Sequence, residues 1–382
     1  MTYFCVMILN SLSILNYKNI AEASLSFSDK VNCFLGNNGM GKTNLHDAIY
    51  YLSNCKSALS ASDSTTIRFG EDAMLLQGNY TRLGKKEVVA CAIQAGRKKM
   101  KRNGKEYKRL SEHIGLLPLV LVSPQDWDMI VGGSESRRRL IDRIISQANH
   151  EYLDALIRYN RALEQRNSML KQGYSDPLLY ESVDAYIVDA ANEIYEGRRR
   201  WIDQFTPVFM QFYNAIGGNN ETVSLDYRSE LNDAPAEKIL AANFERDRAL
   251  GFTSGGVHRD DIELMLGNAL MRKTGSQGQC KTYTIALRLA QFDFLRAQSS
   301  VTPLLLLDDI FDKLDSERVA NIMRIVSSPT FGQIFISDTN RQHIDETIAA
   351  IGSDYRIFSV ASGSVEESSC SAGSSDESLG LK

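Results

Sequence analysis

"GNNGMGKT", Gly36 to Thr43, has the spacing G-x-x-x-x-G-K-[ST] and stands between an apolar run and a helical stretch. Glycines there let backbone N–H groups turn toward a phosphate with no Cβ in the way. The N-terminus of the helix that follows adds roughly half a positive charge. Gly36, Asn37, Asn38, Gly39, Met40 and Gly41 are therefore candidate cradle residues. Lys42 is placed to reach the β- and γ-phosphates and Thr43 to ligate Mg²⁺, so ATP and Mg²⁺ are the expected ligands. "LLLLDD", Leu304 to Asp309, reads as a buried strand that ends in two carboxylates. Asp308 is placed to hold the Mg²⁺ shell, and Asp309 to orient an attacking water. Aspartate is one methylene shorter than glutamate, which predicts slow hydrolysis.

Lys42 and Asp308 lie 266 positions apart, more than a single-layer kinase fold accommodates. Between them stands "SQGQCKT", Ser276 to Thr282, a small-residue and amide cluster opening an apolar helical run. Small residues before a helix make a second N-terminal cradle. The first cradle already serves this chain's own nucleotide, so Ser276 and Gly278 are expected to meet the γ-phosphate bound to another copy. ATP then joins two chains.

The elements that must position these groups follow from hydrophobic period. Residues 8–35 predict a hairpin and then a buried strand, and the helix after the glycine loop is expected from Lys42 to about Ser53. "AMLLQGNY", "KEVVACAIQ" and "LPLVLVSP" predict further strands, as do "PLLLLDDIF" and "GQIFISDT" near the C-terminal end. In between the period is helical. Ser134 is expected to cap a helix from about Glu135 to Lys171, with Leu156, Leu163 and Leu170 seven apart. Asp176-Pro177 opens a second long helix whose face carries Val183, Tyr186, Ile187, Ala190, Ile194 and Trp201. These two helices read as core of a globular lobe rather than a protruding arm. The pattern is an α/β core split by a helical insertion. Residues 1–125 and 296–362 are expected to form one lobe and 126–295 a mainly helical second lobe. The Ser-rich, acidic stretch 363–382 is expected to be disordered.

With 382 residues, 43% hydrophobic and 24% charged, the chain has an ordinary globular composition and no apolar run of membrane-spanning length. "MTYFCVMILN" lacks a basic start and leads into a patterned strand, so a signal peptide is not expected. Six cysteines without paired spacing read as reduced thiols of a cytoplasmic protein. The net charge of −4 hides an uneven distribution. "RKKMKRNGKEYKR", Arg97 to Arg109, carries eight basic residues and one acid, Glu106. It reads either as a solvated hairpin around Asn103-Gly104 or as a strip that tracks nucleic-acid phosphates.

"GNNGMGKTN", "SPQDW" with "RRRLID" after it, "GVHRDDI", "SQGQCK", "LLLLDDIFDKLD" and "FISDT" occur in that order between Met7 and about Ser362. In these motifs the chain resembles the RecF family of bacterial recombination and gap-repair ATPases, within the ABC/structural-maintenance-of-chromosomes superfamily. The resemblance implies an ABC-type P-loop ATPase head with an inserted, mainly helical second lobe. It implies that Gly36 to Thr43 bind ATP and Mg²⁺ and that Gln125 senses metal and γ-phosphate. Ser276, Gln277 and Gly278 then form a signature acting in trans, Asp308 and Asp309 the metal-shell and catalytic acids, Asp315 the loop facing the partner subunit, and Thr339 the switch region. Further implications are ATP-dependent homodimerisation on duplex or gapped DNA or single-strand junctions, weak DNA-stimulated ATPase activity, and RecR, RecO and RecA as partners. The chain departs from the family pattern at His46, Asp47 and Gln125, and no histidine follows "FIS". The chemistry of His258-Arg259-Asp260-Asp261 is open between buried ion pairing and ligand contact. A transporter's energising subunit shares the loop and signature but commonly needs a switch histidine and a membrane partner. A chromosome-organising head needs longer helical arms. A nuclease needs a metal cluster outside the nucleotide site, which the sequence does not offer.

Overall fold

The computed structural model describes residues 5–217, 221–311, 314–351 and 354–368. The expected hairpin forms as β1 (Ile8–Tyr17) and β2 (Ile20–Ser26), and β3 (Val31–Leu35) leads through the glycine loop into α1 (Lys42–Asn54). The chain returns as β4 (Ala73–Arg82), β5 (Lys85–Gln94), β6 (Arg97–Arg102) and β7 (Lys105–Glu106), then β8 (Leu119–Val122). The helical region contains α2 (Trp127–Val131), α3 (Ser134–Ala148), α4 (His150–Lys171) and α5 (Glu181–Ile216). After them come β9 (Val223–Arg228), α6 (Ala236–Leu250), β10 (Asp261–Leu266), β11 (Ala269–Leu270) and α7 (Gln277–Gln298). The last part comprises β12 (Leu304–Asp308), α8 (Ser316–Val326), β13 (Ile334–Asp338), α9 (Arg341–Ile351), β14 (Tyr355–Ala361) and β15 (Ser364–Glu367).

Two six-stranded sheets build the first lobe. One is antiparallel, in the order β2-β1-β4-β5-β6-β7. The other has the order β15-β14-β3-β13-β12-β8 and is parallel except for β15. Leu304 and Leu306 pack on the side of α1 and the antiparallel sheet; Leu305 and Leu307 pack toward the helical lobe. Both faces of β12 are thus covered, which is why "LLLL" is uninterrupted. Each leucine buried there contributes about 1.5–3 kcal/mol. Adjacent parallel strands end together, with Asp308 opposite Ser337 and Ile334 opposite Val31, and this brings the carboxyl ends of β3, β12 and β13 to one edge.

Four expectations need correction. The helix from Glu135 to Lys171 is two helices, because Asn149 is extended (φ −139°, ψ 108°) and its side chain accepts from Tyr152 N to start a new one. Ser134 is the first residue of α3 and Gly133 its cap, with no side-chain capping bond. Tyr186 is 65% exposed while Val183, Ile187, Ala190, Ile194 and Trp201 are buried. At about 100° per residue it falls roughly 60° off the axis those residues share. Ser364–Glu367, in the stretch expected to be disordered, pairs antiparallel with β14; residues 369–382 lie outside the described residues. α7 runs unbroken across position 296, the boundary expected between the two lobes. Helices α4 and α5 bury Ala155, Tyr159, Ile187 and Ile194 in a core that also takes in Val31, Leu305 and Leu307 of the parallel sheet.

Candidate functional site

The glycine loop connects β3 to α1, and its glycines are needed for reasons of space. A Cβ on Gly36 lies 2.3 Å from Val360 O of β14. Gly41, the cap of α1, has φ 118°, a conformation that a side chain strains. Lys42 is buried, and its Nζ donates to Gly36 O (2.9 Å) and Asn37 O (3.3 Å). The ammonium therefore sits inside the curve of the loop, 3.7 Å from Asp309 Oδ1. Thr43 Oγ1 donates to Asp308 Oδ1 at 3.2 Å, and Ser337 Oγ, from the neighbouring strand, donates to the same oxygen at 2.6 Å. Ser337 was not singled out in the sequence. Its signal is the parallel register, since it lies opposite Asp308.

Both carboxyls titrate above the usual aspartate range. For Asp308 the cause is burial, opposed by the hydroxyls of Ser337 and Thr43. For Asp309 it is burial followed by the charge of Asp308. Asp309 has φ 45°, and its N–H donates to Ser337 O (3.3 Å) and Oγ (3.1 Å). This left-handed turn, which aspartate tolerates better than most residues, points its carboxylate back toward Lys42. Thr43 and Asp308 form a compact pair of hard oxygen donors, which suits Mg²⁺.

A cleft of about 810 Å³ opens at this strand edge. The first lobe contributes Asn38, Asp309 and Thr339, and α7 contributes Gln277 and Lys281. Trp127, 38% exposed, lines the same cleft and gives it a flat apolar wall. The structure thus gathers Lys42, Thr43, Asp308, Asp309 and Thr339 around one edge. Gln125 is not gathered. Its side chain is exposed on a short 3-10 turn and makes no hydrogen bond among the described residues. The next residue, Asp126, is buried and accepts two bonds from Arg288 of α7, at 2.5 and 3.1 Å. That pair fastens the Gln125 turn to α7, and nothing in the local sequence announced it.

Ser276 caps α7. Its Oγ accepts from Gln279 N (3.2 Å), and Gln279 Oε1 accepts from Ser276 N (2.7 Å). This is a capping box, readable as Ser-x-x-Gln in "SQGQ" although that reading was missed. Ser276 and Gln277 are exposed, and Gly278 lies against the Arg318 guanidinium, whose Nη1 is 2.8 Å from where a Cβ on Gly278 falls. Arg318 also pairs with Asp315 (3.0 Å), the cap of α8. Gly278 and Asp315 are therefore neighbours through one arginine.

The two departures beside the loop have local roles. Asp47 is buried and accepts from Tyr17, Ser57 and the Ala58 N–H, each at 2.7 Å, with Lys18 at 2.6 Å. His46 is fully buried, edge-on to Phe34, and has no hydrogen-bond partner. Burial, and then the charge of Lys42, lower its pKa to about 3, so it is a neutral core side chain. His258-Arg259-Asp260-Asp261 proves to be largely ion pairing. Arg198 reaches Asp260 at 2.8 Å, and Arg137 holds Asp261 through two bonds of 2.8 Å. The basic strip divides by strand alternation. Lys98 pairs with Asp63 and Arg102 with Glu87, while Arg97, Lys99, Lys101, Lys105, Lys108 and Arg109 are exposed.

Comparison with known proteins places this geometry. The family model described as "RecF/RecN/SMC N terminal domain" matches residues 8–362. A relative from Parabacteroides distasonis named "DNA replication and repair protein RecF" is 53% identical over 361 residues, covering 94% of this chain and 99% of its own. One from Porphyromonas gingivalis with the same name is 50% identical, at 94% and 100% coverage. A solved structure described as that of "the recombination mediator protein RecF-ATP in RecFOR pathway" superposes with a TM-score of 0.86 at 26% identity. It covers 96% of this chain and 99% of that one. The Smc head domain from Pyrococcus furiosus, at 17% identity, covers 95% of this chain and 96% of that one. Its TM-score of 0.57 speaks for the fold alone. The α/β architecture is that of an ABC-type ATPase head, and the chain belongs to the RecF/RecN/SMC N-terminal-domain family, where it stands with the RecF proteins.

Proposed function

We propose that this protein is an ATP-dependent DNA-binding protein of recombinational gap repair in the cytoplasm, a weak DNA-stimulated ATPase that pairs head to head on DNA when ATP is bound. The loop N–H groups and Lys42 hold the triphosphate. Thr43 and Asp308 would hold Mg²⁺, which would supply charge neutralisation for the triphosphate. Asp309 orients a water and accepts its proton as the water oxygen bonds to the γ-phosphorus and the bond to ADP breaks. Its raised pKa brings it closer to a working base at neutral pH. Hydrolysis then releases the dimer. Relatives named for DNA replication and repair, and an ATP-bound relative of the RecFOR pathway, support RecO and RecR as partners and RecA loading as the outcome.

The observation that carries the pairing is the exposed start of α7. Ser276 and Gln277 are exposed at the N-terminus of a 22-residue helix, a ready anion site, with Gln277 also lining the cleft at the strand edge. The packing of α4 and α5 into a core that includes the parallel sheet supports a compact head over a chromosome-organising tether. Sedimentation with and without ATP and a gapped duplex tests the reading, with Ser276→Arg as the variant. The parent is expected to dimerise with ATP, and Ser276→Arg to bind ATP yet remain monomeric. A variant that still pairs with ATP removes the signature's role in trans.

A further inference from the structure

Cations from several elements converge on the end of α1 opposite the phosphate loop. Lys56 is exposed two residues beyond the helix. Lys98 Nζ donates to Cys55 O at 2.9 Å. From the second lobe, Arg143 of α3 lies over the Tyr50 ring, 5.6 Å from its centroid, and Arg139 stands one turn earlier and is exposed. His113 Nε2 lies 2.7 Å from Leu52 O, which pins the loop carrying exposed Lys108 and Arg109 to the same helix end. Asp63 and Glu135 balance Lys98 and Arg139. Among the described residues no carboxylate pairs with Lys56 or Arg143, and the buried Nε of Arg143 has no hydrogen-bond partner.

A helix C-terminus attracts cations, but its half charge accounts for about one of them at most. The cluster also opposes itself. Lys56 keeps an exposed surface, but packing among these groups partly desolvates its ammonium, and that desolvation, followed by the charges of Arg143, Arg139 and Lys98, lowers its pKa. Gathering these groups therefore disfavours the free protein, and a polyanion offsets that.

We propose that Lys56, Arg139 and Arg143 form a phosphate-backbone contact for duplex DNA that joins the basic strip of the first lobe to the second. The inference rests on the DNA-binding reading above and adds where DNA bears on the nucleotide machinery. α1 has 13 residues, about 20 Å, with the triphosphate loop at one end and this cluster at the other. One rigid element thus touches both ligands.

The test is fluorescence anisotropy of a labelled duplex of about 30 base pairs across a salt series with ATP present. Lys56→Glu/Arg139→Glu/Arg143→Glu is expected to weaken binding by about tenfold or more and to lower the slope of log affinity against log salt by about two to three. Binding of a fluorescent ATP analogue should not change. A parent protein whose affinity ignores salt overturns the DNA reading itself. A parent with a steep slope matched by the triple variant in both affinity and slope leaves that reading intact and overturns this contact. Equal weakening toward an acidic peptide but none toward DNA assigns the cluster to a protein partner and also overturns it. If circular dichroism shows the triple variant unfolded, Lys56→Gln and Arg143→Gln decide singly. Each should lower the slope by about one, and no change in either is decisive against the contact.

Discussion

Two Asp-Asp pairs in this chain have the same composition and opposite uses. At Asp260-Asp261, each carboxylate belongs to an arginine, Arg198 for the first and Arg137 for the second. Asp260 also accepts from Tyr227, and Arg198 extends the network to Asp142. At Asp308-Asp309 no arginine pairs with either carboxylate among the described residues. Two hydroxyls donate to Asp308, and Lys42 stays 3.7 Å from Asp309 while hydrogen-bonded to its own loop. Charges taken out of water must be paired or they destabilise the fold. The first pair is held by arginines from within the chain, although Asp260 Oδ1 is buried without a hydrogen-bond partner, and it serves architecture. The second is left under-neutralised, which is the condition for holding a cation and a reacting water.

The sharpest way to break this comparison is Arg198→Ala, which strips the partner from Asp260 and Asp142 at once. Urea denaturation is expected to show a loss of about 3–5 kcal/mol, because uncompensated charge remains in the core. A loss below about 1 kcal/mol contradicts the structural role given to that network. Asp309→Asn should do the reverse. Asparagine tolerates the left-handed backbone, so folding and ATP binding are retained while phosphate release slows by about 10²–10⁴-fold. A variant that hydrolyses at the parental rate moves the base elsewhere.

The pH dependence separates Asp309 from Asp261, whereas Asp260 is raised by burial in the same direction as Asp309. Asp309 has a raised pKa in the fold, so its protonated form favours folding, and that contribution is lost as pH rises through the raised value. Asp309→Asn should therefore be at least as stable as the parent at pH 7.5, with the margin shrinking as pH falls. Asp261 is the opposite case. Burial pushes its pKa up, but the hydrogen bonds and charge of Arg137 outweigh burial and leave it below the usual range. Its contribution is present above the unfolded value and lost as pH falls through the folded one. Asp261→Asn should be less stable than the parent at pH 7.5, with the deficit closing in acid. Denaturation midpoints at a few pH values check both signs, and slopes of the same sign dissolve the distinction.

Much of the site was legible because its signals are contiguous. "GNNGMGKT" after an apolar strand and "LLLLDD" at the end of another pointed to Lys42, Thr43, Asp308 and Asp309, which lie together at one strand edge. The long helical run from Glu135 was misread because Asn149, which breaks it, also fits a helix interior; only its extended backbone and its bond to Tyr152 make it a cap. Gln125 was carried over from a motif, yet the well-held residue of that turn is Asp126, bonded to an arginine 162 positions away.

The same physical limit runs through all of these cases. Strand, glycine loop and helix start depend on neighbours within a few residues, so backbone sterics and hydrophobic period determine them from the sequence. Which carboxylate is neutralised depends on which arginine packing delivers, and Arg198 and Arg137 lie 62 and 124 positions from Asp260 and Asp261. Only the tertiary structure decided that one Asp-Asp pair is fastened by arginines while the other stands at a strand edge beside Thr43, Ser337 and Lys42.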